Sequence, residues 1–351
     1  MYAGSNKGVN FKAIPKGLPK ADEHLELVHR TIDIENLKLD ENEIVLRNLY
    51  LSIDPYIRVT LREPHIKSSL PLSQVGQIIN GLGVSEVVKS NSPTYKVGDL
   101  VYGSIGWEEY SRVPGVDYKL IDKKSINEIP LSYHIGILNM GGLTCYASLT
   151  TIGKPKKGET IYISAAAGAT GKLVGQMAKI KGLKVVGSTG SDEKVDFLLN
   201  ELKFDAAFNY KKVDPDKALS ELCPDGIDIY FDNVGGETLE IALDHCNKFA
   251  RVISCGMVSQ YNISNPKEKY GVKNLDILFQ KSICIQGFLV FEFAGTDIEK
   301  DFERDFVEWI KTGKIINKET IIDGIENATE AFIDMLNGKT VGKTVVKIAD
   351  Y

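Results

Sequence analysis

The spacing of hydrophobic and polar positions changes twice along the chain. Up to about residue 135, short apolar runs such as Glu43-Ile44-Val45-Leu46 and Asp99-Leu100-Val101-Tyr102 are separated by Gly, Pro, Asn and Asp. Runs of that length between turn formers predict short strands. Helical stripes are scarce there, so this part predicts a small irregular barrel or sandwich. Near residue 140 the spacing lengthens. Residues 160–164 read as a buried strand. Leu173, Val174, Met177 and Ala178 then share one helical face, which stops at Gly182. Lys184-Val185-Val186-Gly187 is the next strand. Ser191 is a good N-cap, and Asp192 and Glu193 suit the positive end of the helix dipole. Val195, Leu198, Leu199 and Leu202 follow the spacing of a helix laid on a sheet. Further strands are predicted over 206–208, 227–231, 251–254 and 283–287, with a helix around 237–246. Repeated βα units imply a parallel, doubly wound α/β sheet. Beyond about residue 310 come a helix over 325–336 and a strand over 342–348, a tail expected to return to the first part.

The stretch between the first strand and helix of the α/β part carries the chemistry. It reads Ser164-Ala165-Ala166-Ala167-Gly168-Ala169-Thr170-Gly171, a GxGxxG fingerprint with Ala166 in place of the first glycine. Gly168 lets the backbone approach a pyrophosphate, and Gly171 lets the helix pack on the strand. The helix N-terminus offers N–H groups and a positive dipole end. The pattern is weak alone, and a small-residue turn that merely packs helix on strand is the competing reading. The strand before it and the amphipathic helix after it supply the context of a dinucleotide site.

The end of the second strand narrows the cofactor. An acid stands about 20 residues past the loop in NAD sites, where it binds the ribose 2′-hydroxyl. Here that place is Ser188, within Gly187-Ser188-Thr189-Gly190-Ser191, and Lys194 lies one turn into the next helix. Hydroxyls and a lysine suit a 2′-phosphate, so NADPH is expected. Asp192 qualifies this, because its carboxylate could turn toward the ribose. The other strand ends, at Asn209-Tyr210, Asp232-Asn233, Cys255-Gly256 and Phe288-Leu289-Val290, should line the same edge of the sheet.

Composition changes this picture little. A chain of 351 residues has room for two cores. Its net charge of -5, with both signs mixed, leaves no basic surface for nucleic acid or membrane. No stretch approaches the roughly 18 apolar residues of a membrane span. Met1 to Asn10 lacks the apolar segment of a secretory leader, so a cytoplasmic protein is expected. The five cysteines, Cys145, Cys223, Cys246, Cys255 and Cys284, form no CxxC pair and predict reduced thiols. The five histidines form no cluster at ligand spacing, so no metal is expected.

Several stretches resemble one family over essentially the whole chain. They are Leu51-Ser52-Ile53-Asp54-Pro55-Tyr56-Ile57-Arg58, Gly141-Gly142-Leu143-Thr144-Cys145-Tyr146, the glycine loop with Leu173-Val174-Gly175-Gln176, and Gly190-Ser191-Asp192-Glu193-Lys194. Phe231-Asp232-Asn233-Val234-Gly235-Gly236, Cys255 through Asn262, and Gln286 through Val290 complete the set. The sequence resembles the zinc-independent medium-chain reductases, in the group of prostaglandin reductase (leukotriene B4 12-hydroxydehydrogenase) and the plant double-bond reductases. The resemblance implies a GroES-like β-rich domain of residues 1–137 and 312–351, a Rossmann NADPH-binding domain of residues 138–311, and a homodimer. It also implies NADPH-dependent reduction of the C=C bond of α,β-unsaturated aldehydes and ketones, of the 2-alkenal or 15-oxoprostaglandin type. By the same resemblance Lys194 and Tyr210 hold the 2′-phosphate, with Ser188 and Gly190 beside them. Ala167, Gly168, Ala169, Gly171 and Asn233 meet the pyrophosphate and ribose. Thr144 and Cys255 adjoin the cofactor, and Phe288, Leu289 and Val290 face the nicotinamide.

There are two departures. Thr340 stands where the family often has Asn, which puts that cofactor contact in doubt. Val75-Gly76-Gln77-Ile78 replaces the zinc signature of alcohol dehydrogenases. Reduction without a metal needs a donor for the negative charge that grows on the carbonyl oxygen. Tyr56 and Tyr261 are the expected catalytic donors, since a phenol is neutral at pH 7. A quinone reductase of the same superfamily, or a catalytically silent NADPH-binding redox sensor, remains open.

Overall fold

The computed structural model describes residues 3–124, 126 and 128–351. Two compact units emerge, Met1–Gly136 with Glu319–Tyr351, and Ile137–Lys318. The first unit begins with an antiparallel pair, β1 (Ala3–Phe11) and β2 (Leu25–Asp33). Next come β3 (Glu43–Ile53), a single helical turn α1 (Ile57–Thr60), β4 (Asn80–Ser90), β5 (Leu100–Gly106), β6 (Tyr110–Pro114) and β7 (Lys119–Leu120). The apolar run expected at the start of β3 continues well past Leu46. Asn48 does not interrupt it, because its buried amide donates to Glu108 O (2.8 Å) and Ser111 Oγ (2.9 Å) and accepts from Ser85 Oγ (2.7 Å). A polar residue satisfied in this way can sit inside a strand buried on both faces.

The second unit opens with α2 (Met140–Ser148) and continues as β8 (Thr160–Ile163), α3 (Gly171–Ile180), β9 (Lys184–Thr189), α4 (Asp192–Asp196), β10 (Ala206–Asn209) and α5 (Pro215–Leu222). It ends with β11 (Ile227–Asp232), α6 (Gly236–Asp244), β12 (Cys246–Ser254), α7 (Ile277–Lys281), β13 (Cys284–Gly287) and α8 (Asp297–Lys311). The strands form a six-stranded parallel sheet in the order β10-β9-β8-β11-β12-β13. The order reverses between β8 and β11, and ligands of such sheets bind beyond the strand ends at that switch point. The sheet core is aromatic: the Tyr162 ring stacks 5.0 Å from Tyr230 and 6.2 Å from Phe208.

Three details depart from the pattern. The helix capped by Ser191 turns π-helical over Phe197–Glu201, which buries Phe197 and leaves Leu199 only partly buried. β12 starts at Cys246 rather than 251, and Phe249 takes a left-handed φ of +67° inside it. That kink shifts the register on β11 and hid the strand from an alternation rule. Helix α8 was not anticipated, although Phe302 and Phe306, four residues apart, bury its inner face.

The tail lies in the first unit, with α9 (Ala328–Leu336) and β15 (Lys343–Lys347) near the expected bounds, and with β14 (Glu319–Asp323), a strand not anticipated, ahead of them. β15 lies antiparallel to β3, pairing Val346 with Leu51, so the first unit holds a seven-stranded sheet in which β6 branches from β3. A buried ion pair pins this return: Lys343 Nζ donates to Asp54 Oδ1 (2.9 Å) and to Ile53 O (2.6 Å). Breaking such a pair costs about 3–5 kcal/mol.

Candidate active site

The loop from β8 to α3 is built on small residues for steric reasons. A Cβ on Gly171 would stand 2.7 Å from both Ala165 O and Ala166 Cα, so only glycine lets the helix start this close to the loop. A Cβ on Gly168 would meet only Ala165 O, at 3.1 Å, leaving its outer face open to a ligand. The tight turn falls at Ala165 (φ +48°), one residue before the position occupied by Ala166, and Gly168 N–H donates back to Ala165 O (3.0 Å). Ala167 is buried, while Ala169 and Gly168 are half-buried on the crest. The open crest and the N-terminus of the ten-residue α3 fit a dinucleotide pyrophosphate.

Asn233, at the end of β11, is fastened to this loop. Its Nδ2 donates to Ser164 O (2.7 Å), its Oδ1 accepts from Thr170 Oγ1 (3.0 Å), and its N–H donates to Ser164 Oγ (3.0 Å). Asp232 shapes the turn: its Oδ1 accepts from Tyr230 (2.7 Å) and from the N–H groups of Val234 (2.9 Å) and Gly235 (2.8 Å). Burial raises this carboxyl above the usual range despite those bonds. Thr144 lies half-buried on α2, next to Cys145, whose thiol donates to Thr170 O (3.4 Å). Ser164 and Thr170 lie in the glycine loop and Asp232 at a strand end read from sequence, but the parts they play, Ser164 and Thr170 in fastening Asn233 and Asp232 in shaping the turn after β11, show only in the structure.

Tyr261 belongs to the same neighbourhood. Its oxygen accepts from Met257 N–H (3.3 Å) and would stand 3.3 Å from a Cβ on Gly256. Cys255 N–H and Gly256 N–H both donate to Asp232 O, at 2.9 and 3.0 Å. Burial raises the Tyr261 phenol, with Met257 N–H opposing. Burial also pushes the Cys255 thiol up to about 12, and Asp232 adds to that shift. Asn233, Cys255 and Tyr261 are thus brought together beside the glycine loop.

The end of β9 forms a second cluster. Gly190 sits against Tyr210: a Cβ there would stand 3.1 Å from the Tyr210 hydroxyl. Lys194 is buried on the first turn of α4, and burial, then the neighbouring Lys211, lowers its ammonium below the usual range. Ser188 departs from expectation. Its hydroxyl points into the sheet and shares a hydrogen bond with Tyr162 (2.8 Å), so what it gives the loop is its carbonyl, which accepts from Ala166 N–H (2.9 Å). The Asp192 carboxylate is held by Asn209 Nδ2 (2.7 Å) and by Lys212.

Phe288, Leu289 and Val290 follow β13 at the edge of the sheet. Phe288 packs on Phe293 (6.2 Å between centroids), Leu289 is exposed, and Val290 is half-buried. In the first unit, Tyr56 packs on the β-sheet core and lines a cleft of about 470 Å³ with Arg30, Thr60, Gln77, Ile78 and Glu108. Burial, reinforced by Asp54, raises its phenol. Neighbouring Arg58 acts as a clasp, donating to the carbonyls of Pro15 (3.1 Å) and Gly17 (2.9 Å). Thr340, before β15, accepts from Thr344 Oγ1 (2.9 Å).

Comparison with known proteins fits these features. Residues 7–121 match a family described as the N-terminal domain of oxidoreductases, and residues 169–312 one described as zinc-binding dehydrogenase. The chain is 42% identical over 353 residues to the 2-alkenal reductase (NADP(+)-dependent) of Nicotiana tabacum, covering 98% of each. It belongs to the zinc-independent medium-chain reductase family that contains the alkenal reductases. A zinc-type alcohol dehydrogenase-like protein of Schizosaccharomyces pombe is 47% identical over 339 residues, with 95% of each covered. CurA from Vibrio vulnificus, solved in complex with NADPH, superposes with a TM-score of 0.90 at 34% identity, covering 98% of this chain and 100% of that one. The fold is accordingly a Rossmann domain with a GroES-like domain. Despite the second family's description, the described residues of this medium-chain reductase hold no group of three His, Cys, Asp or Glu that could bind a metal.

Proposed function

We propose that this reductase saturates the C=C bond of α,β-unsaturated aldehydes and ketones, with NADPH as reductant. The observation that carries the reading is Tyr261: a half-buried phenol beside Asn233 whose oxygen already accepts from Met257, leaving its proton to donate. Kinship with the tobacco 2-alkenal reductase and with the (+)-pulegone reductase of Mentha piperita supports the substrate class.

When bound, NADPH supplies a hydride for the β-carbon of the enone. The loop crest at Gly168 and Ala169 holds the pyrophosphate, Asn233 orients the adjoining ribose, and Lys194 with Tyr210 holds the 2′-phosphate. The Tyr261 O–H meets the charge that develops on the substrate oxygen, and Tyr56 is a second neutral donor. Thr144, Cys255 and the 288–290 segment border the nicotinamide half, while Thr340 offers a hydroxyl in place of an amide. The domain carrying Tyr56 is the unit Met1–Gly136 with Glu319–Tyr351, and the one carrying Tyr261 is Ile137–Lys318, so residues 312–318 fall with the second rather than with the first as the resemblance implied.

The five free thiols accord with a cytoplasmic enzyme, and no helix among the described residues is long and apolar enough to cross a membrane. The test is NADPH consumption against alkenals, ring enones, oxo-eicosanoids and quinones, repeated with NADH. Enone turnover that requires NADPH is the expected result. Turnover of quinones alone, or a tight NADPH complex inert toward every acceptor, would replace this reading.

A further inference from the structure

A carboxylate does stand near the ribose end of the site: Asp192, the first residue of α4. Freely disposed, it would act as the acid of an NAD site and repel a 2′-phosphate. Both of its oxygens are instead engaged from the end of β10 and the turn after it. Asn209 Nδ2 donates to Oδ1 (2.7 Å), and Lys212 Nζ pairs with Oδ2. Asn209 is only 8% exposed, and its own Oδ1 accepts from Lys211 N–H (3.1 Å). One buried amide therefore fixes both the direction of the carboxylate and the turn that carries Lys211. The Lys211 stem lies against Gly190, where an added Cβ would stand 3.3 Å from Lys211 Cε. Its charge acts on the buried Lys194. An anion bound between the two ammonium groups would relieve that repulsion.

We infer that Lys211 is a second cation for the 2′-phosphate, and that Lys212 and Asn209 are positioning residues that draw Asp192 away from the ribose. Discrimination between the two nicotinamide cofactors then depends on restraining a carboxylate that is present. The inference rests on the NADPH reading above.

The test is calorimetric titration of the full chain with adenosine 2′,5′-bisphosphate and with 5′-AMP, neither of which can react. The wild type is expected to bind the bisphosphate more tightly by about tenfold for each lysine in contact. Lys211→Gln should cost the bisphosphate about tenfold and leave 5′-AMP unchanged. Lys212→Ala should weaken the bisphosphate by about three- to fivefold, the worth of an exposed ion pair. Adding Asp192→Asn to Lys212→Ala should restore that loss. Equal weakening of both ligands, or no restoration by Asp192→Asn, would overturn the inference while leaving NADPH as cofactor. Equal binding of the two ligands by the wild type would overturn the NADPH reading itself.

Discussion

The Tyr261 oxygen receives a hydrogen bond from Met257 N–H, which leaves its own proton to be given away. If that proton meets the enolate oxygen, Tyr261→Phe should raise the barrier by about 2.7–4 kcal/mol, roughly a hundredfold or more in kcat on an enone. Tyr56→Phe, measured separately, should cost less if Tyr261 is the main donor. Full turnover in both variants would rule out phenol donors. The pH dependence follows from the direction of the shifts. Burial raises both phenols, with Asp54 adding to the rise at Tyr56, so each holds its proton beyond the ordinary phenol range. The pH profile of kcat/KM should show no alkaline fall from these groups below about pH 10. A fall near pH 8 that vanishes in Tyr261→Phe would contradict this. At this scale the sequence was only partly legible. Types and spacing marked out Gly168, Lys194 and Asn233, but no pattern says that the Ser188 hydroxyl points inward to Tyr162, or that Asn209 restrains Asp192. Those directions depend on which face of a strand meets which neighbour.

At the scale of elements, the junction of β8, the loop and α3 positions everything else. Gly171→Ala would press a methyl into Ala165 O and Ala166 Cα, which are backbone atoms that cannot rotate away. The loop must open, at a cost of about 1–3 kcal/mol in stability. Thermal unfolding should show a lowered Tm, and fluorescence titration a weakened NADPH complex. An unchanged Tm with unchanged affinity would mean that the loop is looser than its geometry indicates. The βαβ alternation was legible because buried parallel strands and amphipathic helices have distinct periods. Elements that mix periods were not: the π-helical turn at Phe197–Glu201 and the strand bent at Phe249 both break the count. The length of β3 was hidden for another reason, since Asn48 looks like a terminator until its three partners are known.

At the scale of the molecule, β13 ends the six-stranded sheet with an unpaired edge, and most of that strand is exposed. Phe279 and Phe291, on either side of it in sequence, are 78% and 66% exposed. Exposed edges with apolar flanks invite pairing with another chain, which supports the expected homodimer. Light scattering should give two copies per particle at micromolar concentration, and a monomer would remove that proposal. The reaction itself, hydride addition to the β-carbon, is what every assigned residue serves. Its most direct test is incubation of the protein with 4-phenyl-3-buten-2-one and NADPH deuterated at C4 of the nicotinamide, with the product analysed by NMR. The expected product is the saturated ketone, 4-phenyl-2-butanone, carrying one deuterium on the former β-carbon. The allylic alcohol, with deuterium on the carbonyl carbon, would contradict it.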